Sequence, residues 1–354
     1  MAEGDSLGAV FQRLIARFGP ITLQHYMGES NARYYAGKDP LGSGGDFITA
    51  PEISQMFGEL IGLWLVDIWV RAGRPVPVHY VELGPGRGTL ARDALRAMKR
   101  QGLEPHVHFV EGSAALRALQ RGAVPEAQWH DDLATLPTDG PLLIIANEFL
   151  DALPVRQLVK TPEGWRERMV DWQVGQDGQG RFLPVAGDKP MDAAVPEHLL
   201  QSPDQTLIET CPGAAAAVDE IARRLAGQGG AALLIDYGYA EPRTGSTLQA
   251  LKDHTKVDPF ALPGEADLTC LVDFATMAQV AVAGGARHLG TVGQGAFLRA
   301  LGIDMRAAQL AAAAPQQSSA IEAARDRLVE EDQMGTLFKV MGLAAPAWPP
   351  GAGF

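Results

Sequence analysis

Residues 78–83, Val78-His79-Tyr80-Val81-Glu82-Leu83, have the composition of a buried strand and run without a spacer into Gly84-Pro85-Gly86-Arg87-Gly88, after which Thr89 opens a helical stretch. This juncture constrains the fold more than any other feature of the chain. A strand that delivers a glycine-rich turn to a helix N-terminus begins a β-α-β unit: the small residues admit a ligand close to the backbone, and the first helical turn offers unpaired N–H groups. From residue 78 onward, strand and helix patterns alternate as such a unit requires. The spacing predicts strands at 78–83, 106–111, 127–130, 141–147 and 231–237, with helices at 89–101, 113–121 and 213–227. Helices near 272–283, 295–301 and 319–331 and strands at 287–291 and 337–343 complete a doubly wound order.

Before residue 78 the chain reads differently. Leu7, Val10, Phe11, Leu14 and Ile15 recur at helical spacing behind Asp5 and Ser6, which suit a helix cap, and a second helix is expected over 23–27. The stretch 37–51 is rich in Gly, Asp and Pro and reads as an ordered loop. The helix expected over 53–71 is apolar on more than one face, which suits either core or an interface between two copies. Between 155 and 187, three strand-like segments separated by Pro162-Glu163-Gly164 and 177–180 form an antiparallel excursion. The expected organisation is an N-terminal helical extension with a substrate and cofactor loop over 1–75, then a main domain over 76–354 with an insertion at about 155–212.

Composition narrows the partners. The 354 residues are 46% hydrophobic and 20% charged, and 30 Lys and Arg stand against 42 Asp and Glu, a formal charge of −12. With no basic stripe, nucleic acid is not an expected partner, whereas a basic protein or peptide is electrostatically favoured. Cys211 and Cys270 stand alone, so neither a disulfide framework nor a zinc site is indicated and no metal is expected. An acidic N-terminus and the lack of an apolar run of about 18 residues lead to the expectation of a cytoplasmic protein without membrane insertion.

The glycine spacing sorts the ligand classes. A dinucleotide loop needs glycine at its first, third and sixth positions, and the sixth here is Thr89; a Walker loop needs Gly-Lys-Ser/Thr, which is absent. The alternating glycines behind Glu82 resemble motif I of methyltransferases that use S-adenosyl-L-methionine, and the resemblance assigns Glu82, Gly84, Pro85, Gly86, Gly88 and Thr89 to the cofactor. Glu111, at the tip of the next strand, suits a pair of ribose hydroxyls, or alternatively a cap for the helix near Ser113. Asp131 or Asp132 suits an adenine amino group, or a turn. Asn147-Glu148-Phe149-Leu150-Asp151 leaves the fourth strand at the carboxyl edge of the sheet, where ligands bind in open parallel folds. Glu148 and Asp151 are therefore the carboxylates placed for an acceptor.

Taken with Tyr26-Met27, 45–54, Phe57-Gly58-Glu59, 82–90, 147–155, Ile235-Asp236-Tyr237-Gly238, 245–250, His254, Asp267-Leu268-Thr269, Val272-Asp273-Phe274 and Gln294-Gly295, the chain resembles the MidA-like methyltransferases over nearly its whole length. The resemblance implies a Rossmann-like α/β class I fold with a seven-stranded, mostly parallel sheet, and methyl transfer to a protein arginine. For the mitochondrial member the acceptor is a subunit of respiratory complex I (NADH-quinone oxidoreductase), modified to symmetric dimethylarginine. A guanidinium is a poor nucleophile, so a carboxylate must hold its planar fork and take the departing proton; Glu148 is the first choice. Thr49 and Glu52, in the motif 45–54, are expected to face cofactor or acceptor, and His254 the acceptor side; each also suits a plain structural role. Two other classes remain in view: a scaffold that binds S-adenosylmethionine without turnover, and a nicotinamide-dependent oxidoreductase, which the glycine spacing opposes.

Overall fold

The computed structural model describes residues 6–37, 49–176 and 178–354. These form two compact units. One comprises residues 49–151, 215–241 and 272–354, the other 6–37, 152–214 and 242–271. The boundary expected at residue 75 does not separate them, because residues 49–75 belong with the glycine loop, and the inserted material includes 242–271 as well as the segment around 155–212.

The larger unit is built on β1 (His79–Leu83), β2 (His106–Val110), β3 (Gln128–His130), β4 (Leu142–Asn147), β5 (Gly230–Tyr239), β6 (Arg287–Gly293) and β7 (Phe338–Ala344). Their order is β6-β7-β5-β4-β1-β2-β3, with β7 antiparallel to both neighbours and the others parallel. A two-residue strand, Val272–Asp273, pairs with the end of β5 as an eighth member. β1 and β4 are buried at every residue, the signature of a parallel strand covered on both faces. Leu83 is level with Val110 and with Ala146, and Asn147 with Ile235. This register brings the glycine loop, Glu111, Glu148 and Asp236 out along one carboxyl edge, beside the point where the strand order reverses.

Helix Gln55–Arg71, capped by Ser54, buries Met56 through Leu60 and most of the residues that follow. It packs closely on helix Thr89–Arg100: a Cβ at Gly62 would lie 2.6 Å from the Ala94 carbonyl oxygen, and one at Gly58 2.9 Å from Asp93 Cβ. Buried Glu59 accepts from Arg96 (3.0 Å) and Arg306 (2.8 Å), tying in helix Ile303–Ala313. The apolar surface that suited either core or an interface is thus spent mostly inside the unit. Across β1, β2 and β3 run His79, His108 and His130, joined by two imidazole contacts of 3.0 Å and ended by Asp139 (3.0 Å) and Thr135 (2.9 Å).

The smaller unit holds helices Leu7–Phe18 and Leu23–Gly37 and a five-stranded antiparallel sheet: Ile21–Thr22, Gly164–Val174, Arg156–Thr161 and Leu207–Thr210 in order, with Gly180–Pro190 on Gly164–Val174. Ser6 caps the first helix. A further sheet joins Thr255–Val257, Gln249–Lys252 and Asp267–Thr269. Phe11, Tyr26 and Phe182 form its aromatic centre, with ring centroids 5.1–6.2 Å apart. Among the described residues, no helix is long and apolar enough to cross a membrane.

Candidate active site

β1 ends at Leu83, and the chain then takes positive φ at Gly84 (59°), Gly86 (56°) and Gly88 (79°), a region that side chains other than glycine enter at a cost. The Gly88 N–H closes the turn on the Pro85 carbonyl at 2.8 Å, and Gly88 caps helix Thr89–Arg100. Gly84 is crowded as well as twisted: a Cβ there would sit 2.9 Å from Phe149 Cδ2. The result is a backbone surface without side chains at a helix N-terminus, which faces an open cleft of about 410 Å³ with the solvent at its mouth included. Thr49, Glu52, Glu82, Gly84, Pro85, Gly86, Thr89, Asn147 and Glu148 line it, so the structure brings nine of the residues singled out from sequence to one place. Residues 45–48 of the motif 45–54, and most of the loop expected over 37–51, lie outside the described residues.

Three carboxylates line the cleft, Glu82 buried and Glu52 and Glu148 half-buried. Burial pushes the Glu82 carboxyl up to about 8, although the Tyr80 hydroxyl donates to it at 2.6 Å. Glu52 accepts from the Thr89 hydroxyl at 2.6 Å. Glu148 is raised by burial to about 7, and its Oε1 accepts from the Ala50 N–H (3.2 Å) and Asn147 Nδ2 (3.1 Å). No described group bonds its Oε2, which leaves one carboxylate oxygen for the cleft. The Asn147 Oδ1 is buried with no hydrogen-bond partner among the described residues.

Glu148 itself has φ +51°. What holds it there is Asp236, 1% exposed, whose Oδ2 accepts from the N–H groups of Phe149 (3.2 Å), Leu150 (2.8 Å) and Asp151 (3.3 Å). Burial and then the nearby Glu148 raise the Asp236 carboxyl. The sequence places Asp236 in the strand expected over 231–237 and in a matched stretch, without a role; three backbone donors converging on one oxygen are a tertiary fact that no residue pattern announces. Asp151 is buried, gives its N–H to that clamp and does not line the cleft.

Flanking groups divide between the alternatives left open. Glu111 accepts from the Ser113 N–H at 2.7 Å and from Gln120 Nε2 at 3.2 Å, and burial raises its carboxyl. It therefore does serve the helix start, in a position still suited to a ligand. Asp131 is exposed and pairs with Arg117 at 2.5 Å, while Asp132 caps a short turn through the Ala134 N–H at 2.8 Å; neither lines the cleft. His254 belongs to the smaller unit, where it and Asp253, both at positive φ and exposed, make the turn between Gln249–Lys252 and Thr255–Val257.

Comparisons with known proteins agree with this architecture. Residues 60–292 match the family model of S-adenosyl-L-methionine-dependent methyltransferases. Protein arginine methyltransferase NDUFAF7, mitochondrial, of Xenopus tropicalis is 36% identical over 99% of this chain and 90% of its own length. Its Homo sapiens counterpart is 37% identical over 81% and 71% respectively. A crystal structure of a Burkholderia thailandensis superfamily member bound to S-adenosyl-homocysteine superposes with a TM-score of 0.80 at 29% identity, covering 96% of this chain and 91% of that one. These relatives correct the expectation of a cytoplasmic protein, for those at 36–37% identity are named as mitochondrial. An acidic N-terminal stretch and the lack of an apolar run of membrane-spanning length occur in proteins of several compartments and do not tell them apart. Matched over most of its length by model, relatives and fold, the chain belongs to the S-adenosyl-L-methionine-dependent methyltransferases.

Proposed function

We propose that the chain methylates arginine in a protein, with the residues of the cleft dividing the work between cofactor and acceptor. The observation that carries this reading is one carboxylate oxygen, Glu148 Oε2, left without a described partner in the same cleft as the glycine loop. S-adenosylmethionine supplies a methyl group activated on a sulfonium cation. Three features support its fit: a backbone surface kept bare by Gly84, Gly86 and Gly88, the Asn147 Oδ1, which has no partner among the described residues, as acceptor for an ammonium, and Glu111 at the adjacent strand tip for ribose hydroxyls. Thr49 and Glu52 line the same cleft, and the adenine edge is assigned to Asp131 or Asp132, which lie outside that lining.

On the acceptor side, Glu148 Oε2 receives a guanidinium N–H, orients the nitrogen for an in-line displacement and takes the proton as the methyl group arrives. A carboxyl raised to about 7 is well matched to that task near neutral pH. The names of the relatives supply the acceptor class, a protein arginine, and the family resemblance adds a complex I subunit as its source. A formal charge of −12 favours a basic partner.

The test is Glu148→Gln, assayed by transfer of radiolabelled methyl to extract proteins alongside calorimetric titration with S-adenosylmethionine. Affinity should survive while transfer falls by roughly 10²–10⁴-fold, the range for losing a general base. Residual activity should also lose the limb that rises with pH through about 7 as the carboxyl ionises. Equal loss of affinity and rate would make Glu148 a cofactor ligand, and full activity would remove it from the chemistry. Intact binding with no transfer in the parent protein would favour a scaffold.

A further inference from the structure

The link between the glycine loop and the neighbouring strand tip is a side chain that no motif marks. Gln120, on helix Ala114–Ala123, is fully buried. Its Nε2 donates to the Gly86 carbonyl at 2.8 Å and to Glu111 Oε2 at 3.2 Å, and its Oε1 accepts from Trp129 Nε1 at 2.8 Å. A carboxamide has two N–H hydrogens and one oxygen, and all are engaged. The planar group therefore sets the spacing between the loop after β1 and the carboxylate after β2, while Trp129 of β3 fixes its rotation. Glu111 Oε1 takes the Ser113 N–H at 2.7 Å, so each of its oxygens accepts a described hydrogen bond and has further lone-pair capacity for a ligand hydroxyl.

We propose that Gln120 is a positioning residue for cofactor recognition, holding the Glu111 carboxylate and the Gly86 carbonyl in one frame and thereby setting the preference for a ribose with both hydroxyls. This rests on the reading of Glu111 as the ribose acceptor. Without Gln120, the Glu111 carboxyl keeps the backbone N–H groups of Ser113 and Gly112 and the nearby charge of Arg117, but Oε2 loses its side-chain donor, and an approaching hydroxyl pair meets a less firmly held target. With Gln120 in place, both oxygens are presented in a fixed plane.

Calorimetry on the full chain with 5′-methylthioadenosine and its 2′-deoxy counterpart tests this without any methyl acceptor. The parent protein should prefer the ribose form by roughly ten- to a hundredfold, the worth of a hydrogen bond to a charged group. Gln120→Met keeps the volume and removes the carboxamide, and should reduce that preference to about threefold or less. Trp129→Phe retains an aromatic ring and loses only the donor to Gln120, so it should give an intermediate preference in a folded protein even if the Met variant is unstable. Leu116→Ala, on the same helix, should lower the melting temperature with the preference unchanged. A preference retained in both Gln120→Met and Trp129→Phe but lost in Glu111→Gln overturns the role of Gln120 alone. No preference in the parent protein overturns the Glu111 reading and this inference together.

Discussion

Glu148 occupies a left-handed conformation that costs a non-glycine residue of the order of 1–2 kcal/mol, so something must hold it there. The offsetting contacts fall on a single oxygen of Asp236, which accepts three successive N–H groups just after Glu148. Leaving buried donors unsatisfied is worth about 1–3 kcal/mol. Asp236→Ala should therefore destabilise the protein by roughly 2–3 kcal/mol in denaturant unfolding and reduce methyl transfer more than S-adenosylmethionine affinity, since it frees the turn that carries Glu148 and leaves the glycine loop alone. Asp236→Asn, which keeps an oxygen for the N–H groups, should retain most of the stability. Equal stability of the parent and Ala forms would show that the clamp holds nothing.

At the scale of elements, the strands and helices of the larger unit were legible because buried parallel strands and amphipathic helices differ in period, and each is long enough to show it. Helix Ile303–Ala313 was not, since its alanine-rich sequence has a weak apolar face. The sheet of Gln249–Lys252, Thr255–Val257 and Asp267–Thr269 was missed because strands of three or four residues carry too little alternation. Strand order, and with it the placement of Gln120 and Asp236, comes from pairing between distant segments. The line of histidines across β1–β3 is another such product. The Asp139 carboxylate only accepts, so His79 Nε2 is the donor at that end of the line. Burial, followed by the adjacent His79 and His130, lowers His108 to about 4; burial also lowers His79 and His130, against the opposing pull of Asp139 on His79. His106, Arg117, Arg224 and Asp131 are the other charged or titratable groups acting on the line. An unfolded histidine titrates near 6.5, so the unfolded chain gains protons first as pH falls and the contribution of neutral His108 is lost. The stability advantage of the parent protein over His108→Leu should shrink by on the order of 2 kcal/mol between pH 7 and pH 5. A difference that stays constant over that range would exclude a neutral, lowered His108.

The whole molecule divides its apolar burial between two units, and this has a thermodynamic consequence. The cluster of Phe11, Leu23, Tyr26, Met27, Val170, Phe182 and Leu268 lies within the smaller unit, whereas the cleft residues and their supporting strands lie within the larger one. Chains with separate cores need not unfold in one step, and a ligand stabilises only what it binds. S-adenosyl-homocysteine at a hundred times its dissociation constant adds about 2.7 kcal/mol to the unit that holds it, equivalent to several degrees in melting temperature. Phe182 is 5% exposed and packs against Phe11, Tyr26 and Trp172, so Phe182→Ala should cost about 3–5 kcal/mol in the other unit. Differential scanning calorimetry should then resolve two transitions, one raised by S-adenosyl-homocysteine and the other lowered by roughly 10 °C in Phe182→Ala. Gly86→Val, which forces a branched side chain into a left-handed turn beside the cleft, should abolish the ligand-dependent rise and leave the second transition in place. A single transition displaced alike by ligand and by Phe182→Ala would mean that the two cores unfold as one cooperative body.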